Sequence, residues 1–243
     1  MPRKSLALAR GLTLAAAVLA VALLAASGPG TRAGWWPWQL GLTLFAVAAW
    51  IGMAVAVASL VLLALSAFPR WRRHPAVPLL ALCIALVAMA PPLIFSGKAK
   101  QVPPIHDITT DPADPPAFVA LRAERDRSPN GSAYGGSPIA AQQQSAYPDI
   151  KPLEVATAPA EEMQRAIDAA RAMGWEVVAS DAASGRIEAT ARTRWFGFRD
   201  DIVVRIRPAG TGSRVDVRSA SRVGRSDVGA NAARIREYLG RLS

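Results

Sequence analysis

Three long apolar runs open the chain, at about 6–27, 40–68 and 76–95, and short alternating segments broken by turn residues follow them. The run Leu40–Phe68 carries no charge along its whole length. It exceeds the roughly 20 residues a bilayer requires, so a tilted or interfacially extended span is expected. In the first run Leu12–Ala26 is short; adding Leu6–Ala9 lengthens it but draws in Arg10, whose long side chain can snorkel. The small residues Ala25-Ala26-Ser27 also fit a leader cleavage site. An uncleaved helix is favoured because two more runs follow. The third, Ala76–Phe95, has spanning length and ends near Pro91-Pro92. Residues 1–97 are therefore read as a membrane domain.

Residues 98–149 hold eight prolines with Gly, Ser and Gln clusters, Gln142–Gln144 among them, and no sustained period. They read as an extended Pro-rich strap or tether, part of which docks because a wholly structureless connection this long is uncommon. Order returns in residues 150–243. Pro152–Ala156 suits an edge strand. Pro159, Glu161 and Glu162 open a helix with Met163, Ile167 and Ala170 on one face, stopped by Gly174. Four strands follow: Trp175–Ser180, Arg186–Thr193, Asp201–Arg207 and Ser213–Arg222. In the second, Ile187, Ala189 and Ala191 alternate with Arg186, Glu188, Thr190 and Arg192. A last helix, about Asp227–Leu242, is capped by Ser226 or Asp227 and presents Val228, Ile235, Leu239 and Leu242. The predicted fold class is α+β: three N-terminal transmembrane helices, then a two-layer βαββββα domain with an antiparallel sheet, helix-grip-like in arrangement.

Charge changes the picture by fixing direction. Of the 28 Lys and Arg, Arg3, Lys4, Arg10, Arg32, Arg70, Arg72 and Arg73 precede residue 98, whereas all 18 Asp and Glu follow it, Asp107 being the first. Basic residues flanking apolar spans orient a membrane protein, so the net +10 argues weakly for nucleic acid, and no nucleic-acid partner is expected. Arg3, Lys4 and Arg10 place the N-terminus in the cytoplasm, and Arg70, Arg72 and Arg73 form a second cytoplasmic turn. Trp35, Trp36 and Trp38 suit the outer interface. The expected location is the bacterial inner membrane, multi-pass, with the C-terminal domain periplasmic. The single cysteine, Cys83, permits neither an internal disulfide nor a cysteine metal cluster.

Three motifs carry a family likeness: Ile105-His106-Asp107-Ile108-Thr109-Thr110-Asp111, Trp195-Phe196-Gly197-Phe198-Arg199-Asp200-Asp201, and the stretch from Arg218 to Asn231. Together they resemble the domain of unknown function family 1499 of bacterial membrane and exported proteins, over roughly residues 103–242. The resemblance implies a membrane-linked domain with a shared polar constellation, and it carries over no activity. Some members have a cysteine-bearing segment upstream of the core; none occurs here, so no thiol chemistry transfers.

The candidate ligand-binding residues are Arg218, Arg222, Arg225, Asp200, Asp201, Asp227 and Asn231. Adjacent strand residues point to opposite faces, so Asp200 and Asp201 are expected to diverge, one pairing with an arginine and one capping the turn after Phe198. Arg205, Arg207, Arg214, Arg218 and Arg222 line up on the outward sheet face. They read either as an anion site for lipid headgroups or as a solvated face paired with Glu188, Asp201 and Asp216. Ser219 and Ser221 lie on the inward face with no histidine in the core to activate them. His106, Asp107 and Asp111 make a weak metal signal, since His74 falls on the cytoplasmic loop. The blander expectation there is a strap in which Ile105 and Ile108 dock while Asp and Thr form turns. Gly224, Gly229 and Asn231 match no phosphate-loop spacing. No metal, cofactor or catalytic set emerges. The expected function is a non-enzymatic module that binds membrane lipids, an amphipathic ligand or an envelope protein. The alternatives are an enzyme on an envelope substrate centred on Asp200, Asp201, Arg218 and Asp227, and a structural subunit of a membrane complex.

Overall fold

The computed structural model describes residues 3–69 and 74–243, and the basic turn Arg70, Arg72 and Arg73 lies outside them. The chain divides into two compact units: residues 1–98 with 194–197, and residues 99–193 with 198–243.

The first unit contains α1 (Arg3–Arg32), α2 (Trp38–Ser66) and α3 (Ala76–Ala99). All three are long and apolar enough to cross a membrane, which marks a membrane protein. Two of them outrun the expected boundaries. α1 continues through Pro29, and α3 through Pro91 and Pro92. In apolar surroundings a broken helix leaves backbone groups without water, a larger penalty than Gly or Pro imposes. Small residues set the packing: Ala17, Ala20, Ala48, Ala81, Ala85 and Ala88 are fully buried. Arg10 does not snorkel. It is buried, and its Nη2 donates to Ser66 Oγ of α2 at 2.8 Å.

The second unit is an α+β domain built on one open antiparallel sheet. Its elements are β1 (Asp107–Thr109), α4 (Arg122–Asp126), α5 (Ser137–Ala146), β2 (Leu153–Val155), α6 (Pro159–Ala172), β3 (Glu176–Asp181), β4 (Arg186–Arg192), β5 (Arg199–Ala209), β6 (Gly212–Ser221) and α7 (Ala230–Leu242). The strand order is β1-β6-β5-β4-β3, and β2 joins β6 beside β1. Asp107 pairs with Ala220 and Leu153 with Val215, so two short strands share the outer edge of β6.

The helices α6 and α7 cover one face, where Ile187, Ile202, Val204, Val215 and Val217 meet Met163, Ala166, Ile235, Tyr238 and Leu242. Trp175 stacks on Tyr238 with centroids 4.8 Å apart. The Tyr238 hydroxyl donates to the Ala166 carbonyl at 2.9 Å, which ties α7 to α6. Val228 is absent from this stripe: its φ of 54° puts it in the turn before α7, and Tyr238 takes the core position.

The opposite face departs from expectation. Residues 110–134 lie across it instead of leaving it to solvent. Phe118 and Leu121 pack on Val203 and Ala220, and Glu188, Thr190, Asp201 and Asp216 are buried. Glu188 is held by its chemistry. Oε1 accepts from the backbone of Val119 and Ala120, and Oε2 from Leu121, all at 2.9 Å, which satisfies the start of the short α4. At the end of the segment Ile105–Asp111 the expected side-chain turns occur, Thr109 Oγ1 accepting from Asp111 N at 3.2 Å and Asp111 Oδ1 from Asp114 N at 3.1 Å, while Thr110 N donates to the Val217 carbonyl and extends β1 pairing. Ile105 and Ile108 enter the main core.

Candidate functional site

Asp200 and Asp201 leave β5 toward opposite faces, and each becomes the centre of its own cluster. On the face beneath residues 110–134, Asp201 is fully buried. Arg222 donates to it twice, Nε to Oδ2 at 2.8 Å and Nη2 to Oδ1 at 2.7 Å. Arg125 Nη1 adds a contact to Oδ2 at 3.0 Å, and Thr190 Oγ1 donates to Oδ1 at 2.8 Å. Burial lowers the Arg125 pKa against the pull of Asp201. Glu124 closes the cluster by accepting from Arg199 and Arg222. Beside it Arg218 pairs with Asp107, and the Phe118 ring lies under both Arg125 and Arg218, 4.5 and 4.9 Å from their guanidinium carbons. Neither Arg218 nor Arg222 is a solvated stripe residue: both are buried, because acids from the preceding segment cover them.

On the helix face Asp200 accepts from Arg234 Nη2 at 2.6 Å. It caps no turn after Phe198, since β5 begins at Arg199; the turn before Phe198 is closed by Thr193, its Oγ1 accepting from Phe198 N at 2.9 Å. Asn231 is the hub here. Its Oδ1 accepts from Ser219 Oγ at 2.7 Å and from Arg234, and its Nδ2 donates to the His106 carbonyl at 2.9 Å and to Ser221 Oγ at 3.1 Å. Asp227 accepts from the backbone of Gly229 and Asn231, both at 2.8 Å, and holds the entry to α7. Burial raises its pKa, with the backbone hydrogen bonds working against that rise. Arg225 is exposed and belongs to neither cluster.

The four residues of an acid–base centre are thus divided by the sheet: Asp201 and Arg218 on one side, Asp200 and Asp227 on the other. Each is engaged by the fold. Among the described residues, no group of three or more His, Cys, Asp or Glu is placed to hold a metal ion.

A third arrangement lies at the rim of the outward face. Arg205, Arg207 and Arg214 converge on Asp216, which is fully buried, with contacts of 3.0, 3.0 and 3.1 Å. Asp111 and Asp114 close over them from above. The adjoining concave surface is an open groove of about 580 Å³ lined by Pro112, Ala113 and Pro115 and by Tyr134, Ser137, Ala140, Ala141 and Gln144. None of the residues expected to bind a ligand lines it. Reading the sequence missed this groove because much of its lining is Ala and Pro, which carry no chemical signature.

The chain matches no curated protein. The family described as protein of unknown function (DUF1499) matches residues 107–242, from the start of β1 to the end of α7. The match begins at the acid that pairs with Arg218 and includes both polar clusters, the arginine rim and the groove; the chain belongs to the DUF1499 family.

Proposed function

We propose that this protein sits in a bacterial inner membrane, with its N-terminus cytoplasmic and its α+β domain on the far side, and that the domain binds an amphipathic ligand, a membrane lipid in first place. One observation carries the binding reading. The polar groups with catalytic potential are consumed by pairing, while a groove lined by Pro112, Ala113, Pro115, Ala140 and Ala141, with Tyr134, Ser137 and Gln144 beside them, stays open. Such a surface, part apolar and part polar, suits an amphipathic body. The orientation rests on the bases Arg3, Lys4 and Arg10 ahead of the first span and on Arg70, Arg72 and Arg73 between the second and third. The domain follows the third span after a short stretch of chain, so a ligand would be taken at the membrane.

The test is native purification of the full chain in mild detergent followed by lipid mass spectrometry. A retained lipid that is lost on Ala140→Trp, which fills the groove, supports the reading. Equal retention by both proteins overturns it, as does crosslinking that finds only an envelope protein over the groove. A phosphatase fused after Ser243 should be active; an inactive, stably inserted fusion reverses the orientation.

A further inference from the structure

We propose that Arg205, Arg207 and Arg214 form a binding site for a phosphoryl group, which Asp114 occupies in place of the ligand. The proposal rests on the amphipathic-ligand reading above and adds to it the chemistry of the head and a competing device.

The charge count at the rim is the starting point. Three guanidinium groups meet one wholly buried carboxylate, Asp216, and Glu154 of β2 stands opposite Arg214, so the sheet itself leaves one positive charge uncompensated. Two further carboxylates come from outside the sheet. Asp111 Oδ2 accepts from Arg214 Nη2 at 2.8 Å and from Arg205 Nη2 at 3.4 Å. Asp114 Oδ2 accepts from Arg205 Nη1 at 3.0 Å and from Arg207 Nη1 at 3.1 Å, and the Asp114 carbonyl takes Arg205 Nη2 at 2.8 Å. One carboxylate bridging two guanidinium groups offers the oxygen pattern that a phosphate offers.

The two carboxylates differ from one another. The Asp114 side chain is 64% exposed, whereas that of Asp111 is 13% exposed and Asp216 and Asp201 are fully buried. The ion pairs of Asp114, open to water on the acid's side, are weak enough for a competing anion to displace. The arginines are less exposed than Asp114 but more accessible than those of the buried cluster, at 17%, 40% and 33% for Arg205, Arg207 and Arg214, against 3% and 9% for Arg218 and Arg222. Residues 111–118 form no helix or strand, and Asp114 N is held only through the Asp111 side chain.

The same short segment separates the arginines from the groove. Its aspartates face the guanidinium groups, and Pro112, Ala113 and Pro115 wall the groove. Displacement of the Asp114 carboxylate alone opens Arg205 and Arg207 to a headgroup beside the groove, whose Pro112, Ala113 and Pro115 stay in place, and this gives the two halves an anionic phospholipid needs. A free phosphate would use the first half alone.

The experiment uses the full chain in uncharged detergent micelles and two probes: a fluorescent phosphatidylglycerol and inorganic phosphate. Asp114→Asn should bind phosphatidylglycerol roughly tenfold more tightly than the unaltered chain. Arg207→Gln introduced into that variant should abolish the gain. A gain confined to the lipid makes a headgroup the source, and an equal gain for inorganic phosphate makes it free phosphate; either upholds the anion site. Unchanged or weaker binding of both probes by Asp114→Asn, with an unaltered melting temperature, overturns it. If lipid retention then still depends on Ala140, the binding reading stands and only the anion site falls. If neither protein takes either probe, both fall.

Discussion

Arg218 meets Asp107 side on, its Nε 3.0 Å from Oδ1 and its Nη2 2.7 Å from Oδ2, and both side chains are almost wholly buried. The pair joins the first acid of the chain to β6 across 111 residues and fixes β1 at the sheet edge. Removing one partner strands a desolvated charge, which costs about 3–5 kcal/mol, whereas replacing both with apolar groups costs far less. Asp107→Ala should therefore lower stability by roughly that amount. Asp107→Leu combined with Arg218→Met should recover most of it. Unfolding of the three proteins in detergent, followed by near-ultraviolet circular dichroism, decides this; a double variant no better than Asp107→Ala counts against it.

Gln143 performs for Thr109 the work of a missing strand. Its Oε1 accepts from Thr109 N at 2.9 Å, and its Nε2 donates to the Thr109 carbonyl at 2.6 Å. Both backbone groups are buried, so Gln143→Leu leaves a donor and an acceptor unmet, at about 1–3 kcal/mol each. Gln142→Leu and Gln144→Leu should change stability by less than about 0.5 kcal/mol. Hydrogen exchange at Thr109 gives the sharper reading: its amide should exchange much faster in Gln143→Leu. Unaltered protection would show that the side chain is not the partner.

Asp200 and Asp201 are one residue apart and should respond very differently to loss of charge. Asp201 neutralises two buried arginines, Arg125 and Arg222, while Asp200 holds Arg234 alone. Asp201→Asn is expected to cost more than Asp200→Asn by about 2 kcal/mol or more, in line with an uncompensated buried charge. Equal costs in urea titrations of the two variants would contradict the division into two clusters.

Much of the sheet was legible beforehand, because alternation of Ile187, Ala189 and Ala191 with polar neighbours needs only a period of two. The covering of its other face was not. Glu188, Thr190 and Asp201 look the same in sequence whether water or another polar segment lies over them. Of their partners, Arg222 was readable from the alternation of the last strand, whereas Leu121 and Arg125 come from a segment whose spacing has no periodic signal. Gln143 was hidden between two identical residues, and only the phase of α5 selects it. The divergence of Asp200 from Asp201 was readable from strand geometry. That both would end on arginines was not, since Arg125 and Arg234 belong to separate helices. Pairing across long sequence separations, more than local preference, accounts for what was missed.

All three tyrosines of the chain, Tyr134, Tyr147 and Tyr238, have raised pKa values, in each case chiefly through burial, which disfavours the phenolate. Tyr134 is pushed up to about 12, Asp107 adding to the effect of burial and Arg218 opposing it. In the unfolded chain a tyrosine ionises near 10. Between those values the native protein keeps a proton that the unfolded one has released, so stability falls as pH rises. The contribution is fully present below about pH 10 and disappears as pH passes through the folded value. Ultraviolet titration of the folded chain should show phenolate appearing well above pH 10, and the same titration in denaturant should show it near 10. In Tyr134→Phe the loss of stability across the alkaline range should be shallower. Phenolate formed near pH 10 by the folded protein would mean that these rings are open to solvent and that residues 110–134 do not stay on the sheet.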